Sequence, residues 1–250
     1  MSIQELWLLL PVLIISVGIL AVMIQASCKR SHFIAQGICL VTLLLSLTAL
    51  IYQYPTDIKT ITILFEYEPI GGFFSLLLLM VGISVALLQG PYMGANSKEV
   101  AEEFYLLLLL SCLGAMLLVM SRHVGSVILS IELMSLSMLA ILAYNRERKL
   151  ALEGAMKYLL LSGAATSVLL MGFALLYASS GQMMLADMLQ SPMGLMAKSG
   201  FVLVLAGLAF KLSLVPLHFW TPDVYQGHLL IQHCCLLVCP KLQFLRCLLN

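Results

Sequence analysis

Apolar and polar positions do not alternate along this chain. Seven apolar runs, at about residues 6–24, 33–52, 70–88, 104–120, 124–144, 158–178 and 199–217, stand between short polar connections. A helix needs about 20 apolar residues to cross the hydrocarbon layer, so each run predicts one spanning helix. An eighth, at about 229–249, is apolar but irregular. The strands of a membrane barrel would show period-2 alternation, whereas Leu76–Leu79 and Leu106–Leu110 are unbroken leucine blocks. A backbone in lipid must satisfy its own hydrogen bonds. The expected fold is therefore all-α, a polytopic transmembrane helix bundle. Ser179-Ser180-Gly181 stops the sixth helix, and Met183–Leu189 predicts a short amphipathic turn at the surface.

Composition narrows the class further. The chain is 62% hydrophobic and 10% charged, against about a quarter charged in soluble domains. A net charge of +1 with no basic stripe gives no case for nucleic acid. The partner in sight is the lipid bilayer. Met1–Glu5 carries an acid and no Lys or Arg, so the first run is expected to be a retained helix, not a cleaved signal. Lys29 and Arg30 sit in the first loop, and Arg146, Arg148 and Lys149 in the fifth. The other loops hold fewer basic residues: Lys59 in the second, Lys98 in the third, Arg122 in the fourth. The positive-inside rule then places the odd loops on the cytoplasmic side and the N-terminus on the periplasmic side.

Two charges lie within the apolar runs. Glu132 is in the fifth, Val124–Tyr144, and Lys211 is in the seventh, Ser199–Leu217. An ionisable group inside a spanning helix points to an ion or proton pathway. From the run midpoints, Glu132 lies about 3 Å to one side of the midplane and Lys211 about 4–5 Å to the other. Burial favours the neutral form of each, and nearness favours the charged form of both. With the two effects opposed, a small change of distance or hydration moves a proton. Lateral distance between them is not readable from the pattern. Lys157 opens the sixth helix, where a proton role competes with an interfacial lysine that merely snorkels. Pro216 is expected to end or kink the seventh helix, with His218 and Trp220 lining the break. His218 is either a proton shuttle or a side chain held at the interface.

Of the seven cysteines, Cys39 and Cys112 lie inside apolar runs, Cys28 at a helix end, and Cys234, Cys235, Cys239 and Cys247 crowd the last stretch. His233 beside them offers zinc-type donors. Their spacing matches no metal motif, and no metal is expected.

Three blocks carry a family resemblance. The stretch Gly207-Leu-Ala-Phe-Lys211-Leu-Ser-Leu-Val-Pro216-Leu-His218-Phe-Trp220-Thr-Pro222-Asp223-Val-Tyr225-Gln-Gly227 is the longest. Ser130-Ile-Glu132-Leu-Met-Ser-Leu and Met156-Lys157-Tyr158-Leu-Leu-Leu-Ser162 are the others. Together they resemble the antiporter-like membrane subunits of the proton-pumping NADH:quinone oxidoreductase, respiratory complex I, and among these the N-type subunit. The resemblance implies a non-redox subunit of a proton-translocating oxidoreductase in a bacterial plasma membrane. It has no cofactor of its own, since NADH, FMN, iron–sulfur clusters and quinone are handled by other subunits. Its implied partners are other membrane-arm subunits, especially the M-type and the small K-type. Glu132 and Lys211 would form the proton relay, joined by Lys157 and His218. Lys241 would stand at the place of an eighth-helix lysine. The implied organisation is 1–103 for helices 1–3, 104–227 for the antiporter-like unit, and 228–250 as an aberrant tail. Helices 4–8 would form the first of two inverted five-helix repeats.

After Gly227 the resemblance stops. Back-translated and shifted by one nucleotide, His228-Leu229 yields Ala-Pro, and the stretch from Cys239 yields Pro-Lys-Val-Ala-Ile-Phe, as the family has it. The expectation is an out-of-frame tail and a missing second half, so that this product does not pump alone. Two alternatives stand beside the main reading: a cation/proton antiporter subunit, for which Lys-Ser-Ala-Gln would be usual at Lys211, and a truncated product without function.

Overall fold

A computed structural model describes residues 3–28, 31–54, 59–95, 101–144, 149–190 and 194–222. The helices are α1 (Ile3–Leu8), α2 (Leu10–Cys28), α3 (His32–Tyr52), α4 (Pro69–Ala95), α5 (Ala101–Met120), α6 (Val124–Leu142), α7 (Lys149–Ser180), α8 (Leu185–Gln190) and α9 (Leu195–Lys211). They form a multi-pass helical membrane bundle. Six of them are long and apolar enough to cross a membrane. The seventh expected span corresponds to α9, which at 17 residues is about 25 Å long.

Local chemistry sets the helix ends. Pro69 opens α4 at the position where its missing N–H has no partner to lose. His123 caps α6 by accepting from the Gly125 amide through Nδ1 at 3.0 Å. The start of α7 departs from expectation. The apolar run starts at 158, but the helix begins at Lys149 and has 32 residues, about 48 Å. Its first turns carry Glu153 and Lys157, paired at 2.9 Å in the favourable i,i+4 order. A helix does not stop where its apolar content does. Lys157 therefore lies two turns inside α7 instead of opening it. The amphipathic turn expected at Met183–Leu189 is α8, which buries Met188 and exposes Asp187.

The second, fourth and sixth connections meet at one end of the bundle. The second holds a short antiparallel hairpin, β1 (Lys59–Thr60) with β2 (Glu66–Tyr67), in the register Lys59↔Tyr67 and Thr60↔Glu66. Apolar runs carry no signal for such a hairpin. The Arg122 amide donates to the Leu64 carbonyl, and the Leu185 amide to the Arg122 carbonyl, each at 3.1 Å. The Val124 amide donates to the Met183 carbonyl at 3.0 Å. Arg122 also pairs with Glu66 at 3.5 Å. The even connections thus share one face, as alternating up-and-down helices require.

Small residues bring helices to backbone contact. A methyl at Gly172 of α7 would meet the Val204 amide nitrogen at 2.7 Å and the Gly200 carbonyl at 2.8 Å. A methyl at Gly207 of α9 would meet the Ala165 carbonyl at 3.1 Å. Lipid tails are as apolar as leucine, so close van der Waals approach is what holds spanning helices together. The α7–α9 pairing fixes the level of everything at the end of α9.

Candidate functional site

Three helices converge on Lys211. Its Nζ donates to Ser135 Oγ of α6 and to Ser162 Oγ of α7, at 2.8 Å each. Glu132 Oε1, also on α6, lies 3.9 Å from the same nitrogen. That oxygen accepts from Thr166 Oγ1 of α7 at 2.7 Å. The spacing follows from the helix period: Glu132 and Ser135 are three apart, Ser162 and Thr166 four apart, so each pair shares a face. The lysine side chain is 4% exposed and the glutamate 37%. The cation is thus enclosed by hydroxyls, while the carboxylate borders the outside of the described chain.

Lys211 is not in mid-helix, as the apolar pattern predicts. It is the last helical residue of α9. Ser213 adopts φ 56°, its amide donates to the Phe210 carbonyl at 3.0 Å, and the Leu214 amide donates to the Ala209 carbonyl at 2.9 Å. This is a Schellman closure with serine where glycine is usual. The expected terminator, Pro216, lies beyond it. The sequence offers no glycine there, so the stop was hidden. Ser213→Gly is expected to keep the closure, and Ser213→Val to lower stability in detergent by about 1–2 kcal/mol through the left-handed strain; thermal denaturation of the purified chain checks both.

The break lies at membrane depth. Ser162, which meets Lys211, stands about 20 Å from the start of α7 and about 27 Å from its end. Irregular backbone at such depth needs protein or water around it. Trp220 supplies part of that cover. It is buried, stacks on Phe210 at 5.7 Å and lies 5.2 Å from the Tyr158 ring.

Of the expected site residues, the structure brings Glu132 and Lys211 together. His218 is exposed in the turn after the break, next to the buried Trp220. Lys157 pairs with Glu153, one turn back on its own helix. Lys241 and the whole stretch 223–250 lie outside the described residues. Ser135, Ser162 and Thr166 were missed by the sequence reading. Their signal was a polar residue at i+3 from Glu132 and an i,i+4 polar pair inside an apolar helix. Among the described residues no group of His, Cys, Asp and Glu could hold a metal ion.

Fold and site define a class: a multi-pass helical bundle with a Glu–Lys pair at the end of one helix, its lysine buried and its carboxylate partly exposed. Residues 121–237 match the family described as NADH:quinone oxidoreductase/Mrp antiporter, transmembrane. The chain is similar to a chain of respiratory complex I from Thermus thermophilus, solved with bound aureothin. That match has 28% identity and TM-score 0.83, and covers 96% of this chain and 52% of that one. It shares its fold with a chain of the membrane-bound sulfane sulfur reductase, an archaeal respiratory membrane complex. There the identity is 23% and the TM-score 0.76, with 89% of this chain and 48% of that one covered. A chain of the Mrp complex from Dietzia sp. DQ12-45-1b has the fold too, at 16% identity and TM-score 0.74, covering 91% of this chain and 44% of that one. The chain spans about half the length of these solved relatives.

Proposed function

We propose that this chain is a proton-translocating membrane subunit of an NADH:quinone oxidoreductase of the complex I type, with Glu132 and Lys211 as its relay. The observation that carries the reading is the 3.9 Å pair, with its buried lysine on two hydroxyls and its partly exposed carboxylate on a third. Each charge has a neutral partner that keeps it from full contact with the other. A proton can then be shared or released with a small displacement. The redox chemistry belongs to other subunits, which reduce quinone with NADH. The membrane-arm neighbours are of the M and K types, the N-type subunit is the best counterpart, and the membrane is bacterial, with the N-terminus periplasmic. Lys157 and His218 are secondary candidates, since Lys157 pairs with Glu153 on its own helix and His218 is exposed in the turn after α9.

Glu132→Ala tests this in inside-out membrane vesicles, where NADH-driven acidification is followed with a pH-sensitive dye. The rate is expected to fall about tenfold or more, the loss of roughly 1.4 kcal/mol or more from the rate-limiting barrier. Acidification at the wild-type rate would remove Glu132 from the route. A second reading, a cation/proton antiporter subunit, is favoured by the other half of the family description. It predicts a sodium- or potassium-dependent collapse of a preformed pH gradient in the absence of any electron donor.

A further inference from the structure

At the end of the bundle opposite the hairpin, the start of α3, the end of α4 and the start of α5 come together. His32 of α3 holds the Gly90 carbonyl of α4 through Nε2 at 3.1 Å. Its ring lies 5.6 Å from the ring of Tyr105 of α5, centroid to centroid. Gln36, one turn on from His32, donates to the Ala86 carbonyl at 3.1 Å. Gln89 of α4 is level with Tyr105. A methyl at Gly82 would meet Cys112 Sγ at 3.0 Å, and two turns along these antiparallel helices the same faces carry Gln89 and Tyr105. Tyr105 is 0% exposed and Gln89 1%.

Three polar atoms here are buried with no hydrogen-bond partner among the described residues: Tyr105 Oη, Gln89 Nε2 and His32 Nδ1. Their kinds are complementary. A carbonyl only accepts, so the Gly90 contact puts the His32 proton on Nε2 and leaves a lone pair on Nδ1. Tyr105 and Gln89 have protons to give. A buried polar atom without a partner is costly, and internal water commonly supplies one, with about three bonds of its own. An occupant of this site must accept from two donors and give a proton to one acceptor. A metal cation would face the two donors, and an anion would face the Nδ1 lone pair. Water meets all three atoms.

We propose that His32, Gln89 and Tyr105 bind an ordered water that ties α3, α4 and α5 together. It accepts from the Tyr105 hydroxyl and the Gln89 amide and donates to His32 Nδ1. The site is separate from Glu132 and Lys211. Gly114 brings α5 against α6 at Ser130 and Met134, nine residues, or about 13–14 Å, along α5 from Tyr105. The water bridge does not depend on whether the Glu132–Lys211 pair carries protons.

Hydroxyl-radical labelling of the full chain in its own membranes tests the site, with the radicals made by X-ray radiolysis of water and the products read by mass spectrometry. The probe is water itself: a radical formed from a bound water oxidises the ring beside it, even where bulk solvent has no access. Phe104 is the matched control. It is next in the chain, carries an oxidisable ring, is also 0% exposed, and packs edge-on against Tyr105 and Tyr144. Tyr105 is expected to take up oxygen several-fold faster than Phe104, beyond the difference between free tyrosine and phenylalanine. Gln89→Leu and His32→Phe each remove one partner of the water, and each is expected to bring Tyr105 down toward the Phe104 rate. Equal labelling of the two rings in the wild type overturns the proposal, since local opening exposes both and a dry site labels neither. So does undiminished labelling of Tyr105 in both variants, which assigns its water to other partners. The wild-type comparison needs no substitution, so it decides even where a variant fails to accumulate.

Discussion

Vesicles carrying Lys211→Met are expected to lose proton translocation by about a hundredfold, roughly 2.7 kcal/mol, while the chain still accumulates. Methionine has nearly the length of lysine and fills the same apolar stem. Of the two serines it abandons, Ser135 keeps its bond to the Ile131 carbonyl at 2.7 Å. What disappears is the one cation within reach of Glu132 in the described site. The sharper variant is Lys211→Arg. A guanidinium keeps the positive charge but does not give up its proton in a protein. If Lys211 is a proton carrier, Arg is expected to fail about as completely as Met. If the lysine is only the fixed half of a static ion pair, Arg restores the rate and the relay is wrong. Initial rates of acidification, normalised to the amount of chain in the membrane, decide between the two.

Much of this arrangement was written in the apolar pattern, because lipid allows a spanning backbone few solutions. The runs at 33–52 and 124–144 became α3 and α6 within a few residues. Glu132 and Lys211 stood out because nothing else charged lies in their runs. Their separation was not legible, since it depends on which helices touch, and that is set by glycines and alanines that look inert in sequence. The end of α9 was misplaced for a related reason. Pro216 is a loud breaker, but the helix closes earlier through backbone bonds around Ser213. The excess length of α7 was hidden by Glu153 and Lys157, polar residues that end an apolar run without ending a helix. The hydroxyls around Lys211 were quiet for another reason. Serine and threonine in spanning helices commonly bond the carbonyl one turn back, as Ser130 and Ser137 do here, so their presence alone distinguishes no site.

The glycines lead to the second large effect. Gly172→Val is expected to reduce the amount of chain in the membrane several-fold, and to reduce proton translocation further than that loss accounts for. Its Cβ would meet the Val204 amide and the Gly200 carbonyl, both backbone, at under 3 Å. No rotamer change relieves such a contact, so α7 and α9 must move apart. Overpacking of a well-fitted interface costs about 1–3 kcal/mol, enough to change abundance several-fold in cells. The displacement also reaches the site. Gly172–Gly200, Ala165–Gly207 and Ser162–Lys211 are successive rungs between the same two helices. A shift at the first rung lengthens the last, where the 2.8 Å bond to the ammonium has little slack. Gly163→Ala is the matched control: it is on the same helix, next to Ser162, and an added methyl there meets no atom within 4 Å. It is expected to leave both abundance and rate unchanged. Equal behaviour of the two variants, by immunoblot and by vesicle acidification, would show that the α7–α9 contact does not hold Lys211 in place.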